Sequence, residues 1–336
     1  MTMADILLTR QAVLLAKSEG TYGTYDDPAA SDAVLTTIPS FSFDVETYER
    51  EMARSSLSPL PPRTTNIDVS ISFSCEIKGS GTAGTAPEVA PLLLACGMAH
   101  TNLTAINMFG MKSDPSTIPP VSLKFYWGGH MYKVAGCIGN FSCSFEAGGI
   151  GLFNFELKGK YLGNALYDTS ETIEPNPTYD TTLPPLLNTA ELTFDSDTAL
   201  DISKLEFSLN NEVTSIKNIG DAQPTSTRFF ISGRKPSGSF DPLVDKTSFT
   251  PHWFELLENA TGKTMQLTLE GEDAGNRVAF YFGGTHNGSG TISTVAQNTV
   301  TGLSFDDDSG VRRFGVTFNM SGNFTTGDDE LWIRFY

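Results

Sequence analysis

Basic residues are scarce and scattered: 22 Lys and Arg face 39 Asp and Glu across 336 residues, for a formal net charge of −17, and no Lys/Arg-rich run occurs. A surface that grips nucleic acid by neutralising phosphates is thereby excluded. Cysteine is equally sparse. Cys75, Cys96, Cys137 and Cys143 follow no zinc-ligand spacing and read as free, buried thiols. Of the four histidines, His100, His130, His252 and His286, no two stand at metal-ligand spacing, and His252 has Glu255 one helical turn on but no third ligand. The acidic runs Asp306–Asp308 and Asp328–Glu330 lack an EF-hand pattern and read as solvated loops. There is no Gly-x-Ser-x-Gly elbow. The glycine-rich segment Lys78–Gly84 places its lysine before the glycines, which suits a flexible connector and not a phosphate cradle. No apolar run approaches a membrane span, and Met1–Asp5 has no basic region ahead of an apolar core. These absences leave no catalytic, cofactor or metal site in view, and they predict a soluble chain made in a cytosol.

What the chain does contain is β pattern, repeated. Val121–His130 reads VSLKFYWGGH and Arg277–His286 reads RVAFYFGGTH. Self-similarity of this kind is the first thing to pursue in a sequence. Ser40–Val45 corresponds to Leu205–Asn210, and the alternating run Ile67–Ile77 corresponds to Thr227–Ser232, each run closed by a glycine (Gly79, Gly233). Alternation with period two marks half-buried strands. Asn154–Gly159 and Thr317–Gly322 share a polar/apolar order and a terminal glycine.

Between strands the period changes once in each half. Thr85–Glu88 forms a capping box with proline in its first turn, ahead of an apolar face at Val89, Leu92, Leu93 and Cys96 that stops at Gly97. Pro91 weakens this helix, since a proline that deep should start it or kink it. Thr250–Pro251 starts a second helix, ended by Gly262. The expected fold is mainly β: two similar β-sandwich or barrel domains, each with its own core and one short flanking helix. The proline-rich stretch Glu174–Pro185 divides them into residues 1–183 and 184–336.

Four segments resemble one family, the tail tube (major tail) proteins of long-tailed bacteriophages: Ala16–Thr24, Lys78–Met98, Ser208–Val213 and Gly233–Pro242. The resemblance implies a virion protein, made in the host cytoplasm, whose β domains assemble into stacked rings with one continuous β lining. The genome would pass through without stable binding, and no enzyme activity belongs to the role. Partners implied are the chain itself and the tape measure, tail terminator and distal tail proteins. A duplicated chain would build a ring of pseudo-sixfold symmetry from three copies. The long connection 44–66 and the arm at Glu19–Thr24 are the expected contacts between rings, with Glu19, Tyr22, Tyr48, Arg50, Arg54 and Leu57 as candidate residues. The alternative is a carbohydrate-binding or decoration module, with Tyr126, Trp127, Phe280 and Tyr281 as an exposed aromatic platform.

Overall fold

Alternating apolar residues are extended into strands along most of the chain in the computed structural model, which describes residues 11–128, 130–168, 176–195, 200–220, 225–244, 252–271, 274–308 and 310–336. The first half forms β1 (Ala12–Ser18), β2 (Ala33–Val34), β3 (Ser40–Tyr48), β4 (Arg63–Glu76), α1 (Ala90–Ala95), β5 (Met98–Leu103), β6 (Ile106–Met111), β7 (Val121–Trp127), β8 (His130–Glu146), β9 (Leu152–Lys160) and β10 (Tyr167–Asp168). The second forms β11 (Glu191–Phe194), β12 (Ile202–Ser208), β13 (Asn211–Ile216), β14 (Arg228–Arg234), β15 (Ser237–Pro242), α2 (His252–Asn259), β16 (Met265–Leu269), β17 (Val278–Phe282), β18 (Gly284–His286), β19 (Ile292–Thr294), β20 (Asn298–Asp308), β21 (Val311–Met320) and β22 (Leu331–Phe335).

Strands β3, β4, β9 and β8 lie side by side in that order, and β12, β15, β21 and β20 repeat it. The two sets of four join edge to edge through β8 and β12, which set Phe145 opposite Leu205 and Cys143 opposite Phe207 in antiparallel register. The result is a continuous run of eight strands. Its apolar face packs on a second sheet, ordered β11-β16-β17-β22-β6-β5. Aromatic pairs hold the layers together: Phe145–Phe280 at 5.5 Å between centroids, Phe207–Phe282 at 5.0 Å and Phe282–Phe318 at 5.9 Å. Each such ring, fully buried, stabilises the fold by about 1.5–3 kcal/mol.

Because β8 pairs with β12 and β6 pairs with β22, the halves share one apolar core running from Leu14 to Phe335. Among the described residues the separate cores expected from the length of the chain do not form. Pairing across the midpoint also fixes the loop at Lys78–Gly84. Lys78 is buried and its Nζ donates to the Asp180 carbonyl at 2.7 Å, while Gly79 donates its N–H to Asn276 Oδ1 at 3.0 Å. A Cβ on Gly79 would stand 1.8 Å from the Gly275 carbonyl oxygen, so only glycine permits this approach. The segment is thus a pinned contact between halves and not a free connector.

The helices are shorter than the periodicity suggests. In α1 Pro91 occupies the first turn, where its missing N–H costs nothing, so the helix begins there and not at Thr85. Glu88 does not cap it; its carboxylate accepts from the Leu35 N–H and faces Lys78 at 3.7 Å. α2 stops at Asn259, before Ala260 turns to φ 47°, ahead of Gly262. Thr250 and Pro251 lie outside the described residues. Gly233 lies inside β14 and does not end it. The repeated signature around Gly128 and Gly283 also diverges: β7 turns back into its partner β8, whereas β17 leads into β18, which pairs with β19.

Candidate assembly surfaces

The eight-stranded run has one apolar face and one polar face, because residues alternate inward and outward along its central strands. Phe141, Cys143 and Phe145 point inward from β8; Asn140, Ser142 and Ser144 point outward between them. The same holds for Ser72 and Ser74 on β4, Asn154 and Glu156 on β9, Glu206 and Ser208 on β12, and Thr317 and Asn319 on β21. The polar face is dished, with hollows of about 660 and 420 Å³ over β8–β21 and β3–β9. Short hydroxyl and amide side chains dominate it, so it presents hydrogen-bonding groups with few fixed charges.

The two ends of the run are open. Among the described residues β3 pairs with β4 alone, and β20 pairs with β21 alone apart from the Lys263–Asn298 bridge at its start. Large apolar side chains left in water gather along these edges. Leu35, Ile38, Phe43, Val45 and Tyr48 lie on and before β3; Phe254, Leu257, Phe305 and Val311 lie on β20, its hairpin partner and α2. An exposed, apolar strand edge is a template for pairing with another chain.

The proposed contact residues fall into two groups. Glu19 is 6% exposed, and its carboxylate accepts from the Gly136 N–H, the Ser122 hydroxyl and the Gly23 N–H. Burial pushes its pKa up against these bonds, which pull it down. Tyr22 donates its hydroxyl hydrogen to the Gly136 carbonyl and accepts from the Phe229 N–H at 2.6 Å, under the Arg228 guanidinium. Gly136, at φ 65°, is the point where β8 bulges and bends from β7 toward β12. The arm therefore staples a bulge within the subunit. Tyr48, Arg50, Arg54 and Leu57 are all exposed at the tip of the β3–β4 hairpin. Residues 44–48 and 63–66 belong to the strands themselves, so the connection is 49–62 and not 44–66.

Two further expectations change. The aromatic platform does not exist: Tyr126, Phe280 and Tyr281 are buried because both faces of their strands are covered, and Trp127 stacks on Phe125. Asp328–Glu330 is no solvated loop. Asp328 and Glu330 clasp the Arg234 guanidinium, itself 11% exposed, and Asp329 Oδ1 accepts the Asn323 N–H at 2.7 Å. Burial would raise the Asp328 pKa, but hydrogen bonds from Ser113 and Arg234 and the arginine charge outweigh it and hold the carboxyl below its usual range. A single arginine preceding Lys-Pro carries no such signal in the sequence. The side chains of His252 and Asp308 lie outside the described residues.

A two-faced sheet with open apolar edges is the frame of a β-class protein that can join other chains edge to edge. The sequence profile of the family described as phage tail tube protein matches residues 9–306, and the chain belongs to that family. No curated protein matches the chain. It is a structural protein of the phage tail that self-assembles into a tube.

Proposed function

We propose that three copies close a ring of pseudo-sixfold symmetry, each contributing two equivalent four-stranded units, and that stacked rings form the conduit for the ejected genome. The observation that carries this is the β8–β12 joint, since the chain already contains one unit joined edge to edge to a second of the same strand order. Repeating that operation brings β20 of one copy to β3 of the next. Heterologous contacts of this kind close after a fixed number of copies. The division into residues 1–183 and 184–336 follows the same pattern.

In this arrangement the polar, dished face lines the bore. Ser, Thr and Asn there offer DNA no array of cations, so sliding releases no counterions and gains no adhesion. Lys158 and Lys204 share that face with Glu156 and Glu206, two residues away on the same strands. The tube has no enzymatic role; its other contacts are the tape measure, terminator and distal tail proteins, met in the host cytoplasm during assembly. Native mass spectrometry of rings dissociated from tubes tests the reading: a three-chain species supports it, and a six-chain species overturns it.

A further inference from the structure

The hairpin tip and the midpoint junction lie at opposite ends of one strand. β4 leaves the tip at Arg63 and reaches the junction at Glu76, 13 steps later, a span of about 43 Å at roughly 3.3 Å per residue. At the Glu76 end a cleft of about 1050 Å³ opens between the halves. Its walls are Glu76, Ser80–Thr82 and Ile150 from the first half, Asp180–Leu186 from the connection, and Glu270 and Asn276 from the second. Those walls are fixed before any partner arrives, by the Lys78 and Gly79 bonds already described and by Asn276 Nδ2, which donates to the Leu183 carbonyl at 2.8 Å.

The chemistry of the two ends is complementary. Among the described residues every charged side chain lining the cleft is acidic: Glu76, Asp180 and Glu270, the last facing Arg277 at 3.1 Å. Leu183 and Leu186 add exposed apolar surface at its rim. The tip brings cations and apolar groups to match. In a chain of net charge −17, residues 49–62 are charge-balanced, with Arg50 and Arg54 against Glu49 and Glu51. Leu57 and Met52 stand in water at 107% and 62% exposure, and Arg54 braces the loop by donating to the Ser58 and Pro59 carbonyls.

We infer that loop 49–62 of one copy seats in the 76/180/270 cleft of a second copy in the adjoining ring, with Leu57 against Leu183 and Leu186 and Arg50 toward the three carboxylates. A plug and its socket at opposite ends of the same molecule make a head-to-tail contact that propagates without closing, as a tube requires along its axis. The inference rests on the ring reading and adds the axial joint to it.

Cysteine cross-linking tests it directly, since the four native thiols are buried. A chain carrying both L57C and L183C cannot bridge within itself across that span. In oxidised tubes it should give a ladder of covalent multimers, absent from either single variant and from unstacked rings. In parallel, R50E with L57D should leave rings of normal mass while tube length falls at least tenfold. Tubes of normal length from that charge-reversed chain, or tubes of the double-cysteine chain without a ladder, would overturn the inference and leave the ring reading standing. A wild-type chain that forms neither rings nor tubes would instead refute that reading and this one together.

Discussion

Gly79 and the Arg234 cluster show how much single residues decide here. At Gly79 the backbone of one half lies against that of the other, leaving no room for a methyl group. Gly79→Ala should therefore cost about 1–3 kcal/mol through forced backbone shifts, read as a lower urea midpoint with an unchanged slope. A midpoint matching the wild type would mean that the junction yields freely. Asp328 offers a pH test. Its carboxyl titrates lower in the folded chain than in the unfolded one, so its stabilisation is fully present above the ordinary aspartate value, about 3.9, and is lost as pH falls through the depressed folded value. Asp328→Asn keeps the positive-φ backbone, which asparagine tolerates, and removes the charge. The variant should be less stable than the wild type at pH 7, with the gap closing toward pH 3. A gap that stays constant across this range would show that the charge contributes nothing.

At the scale of elements, the β3–β4 hairpin is the proposed joint between the fold and its assembly. Deleting residues 49–60 removes no core side chain, so the chain should keep its unfolding midpoint and still form rings, yet polymerise poorly in sedimentation or microscopy. Normal polymerisation would relieve the tip of any axial role. The same hairpin marks the limit of what the sequence made legible. Ile67–Ile77 alternates visibly because one side is buried, and Asn154–Gly159 and Thr317–Gly322 resemble each other because both are central strands of the same four-stranded order. Residues 44–48 and 63–65 are exposed on both sides, so they carry no apolar period to distinguish strand from loop. Pairing partners were illegible for a different reason. Alternation specifies which face is buried but not which strand lies alongside, and so β6–β22 and β8–β12, which merge two expected cores into one, leave no trace in the local pattern. Of the residues expected at contacts between rings, Tyr48, Arg50, Arg54 and Leu57 stand at the exposed tip, whereas Glu19 and Tyr22 form a buried staple for the bend at Gly136.

For the whole molecule, the family membership shows a tail tube protein, and the repeated strand order supports the proposed ring of three chains. A single chain supplies eight strands with one wet face and two open edges, and three chains supply three times eight, or 24, strands. Closing the edges covers Phe43, Val45 and Phe305, whose exposure in the lone subunit is otherwise unexplained. In the proposed ring the Ser/Thr/Asn face turns toward the axis, where adhesion to a polyanion must be weak. Placing lysine at Ser142 and Ser208 on that face should leave the subunit fold and the tube intact, yet make isolated tubes retain double-stranded DNA at low salt and release it as salt rises. Tubes of the doubly substituted chain that bind no more DNA than the wild type would place that face away from the bore. The most direct measurement is a cryo-electron microscopy cross-section of assembled tubes at a resolution that separates strands. The account predicts threefold symmetry with a pseudo-sixfold inner wall of 24 strands, β20 of each copy paired with β3 of the next and Ser142, Ser208 and Thr317 facing the bore. A sixfold ring in which residues 184–336 hang outside the wall would contradict it.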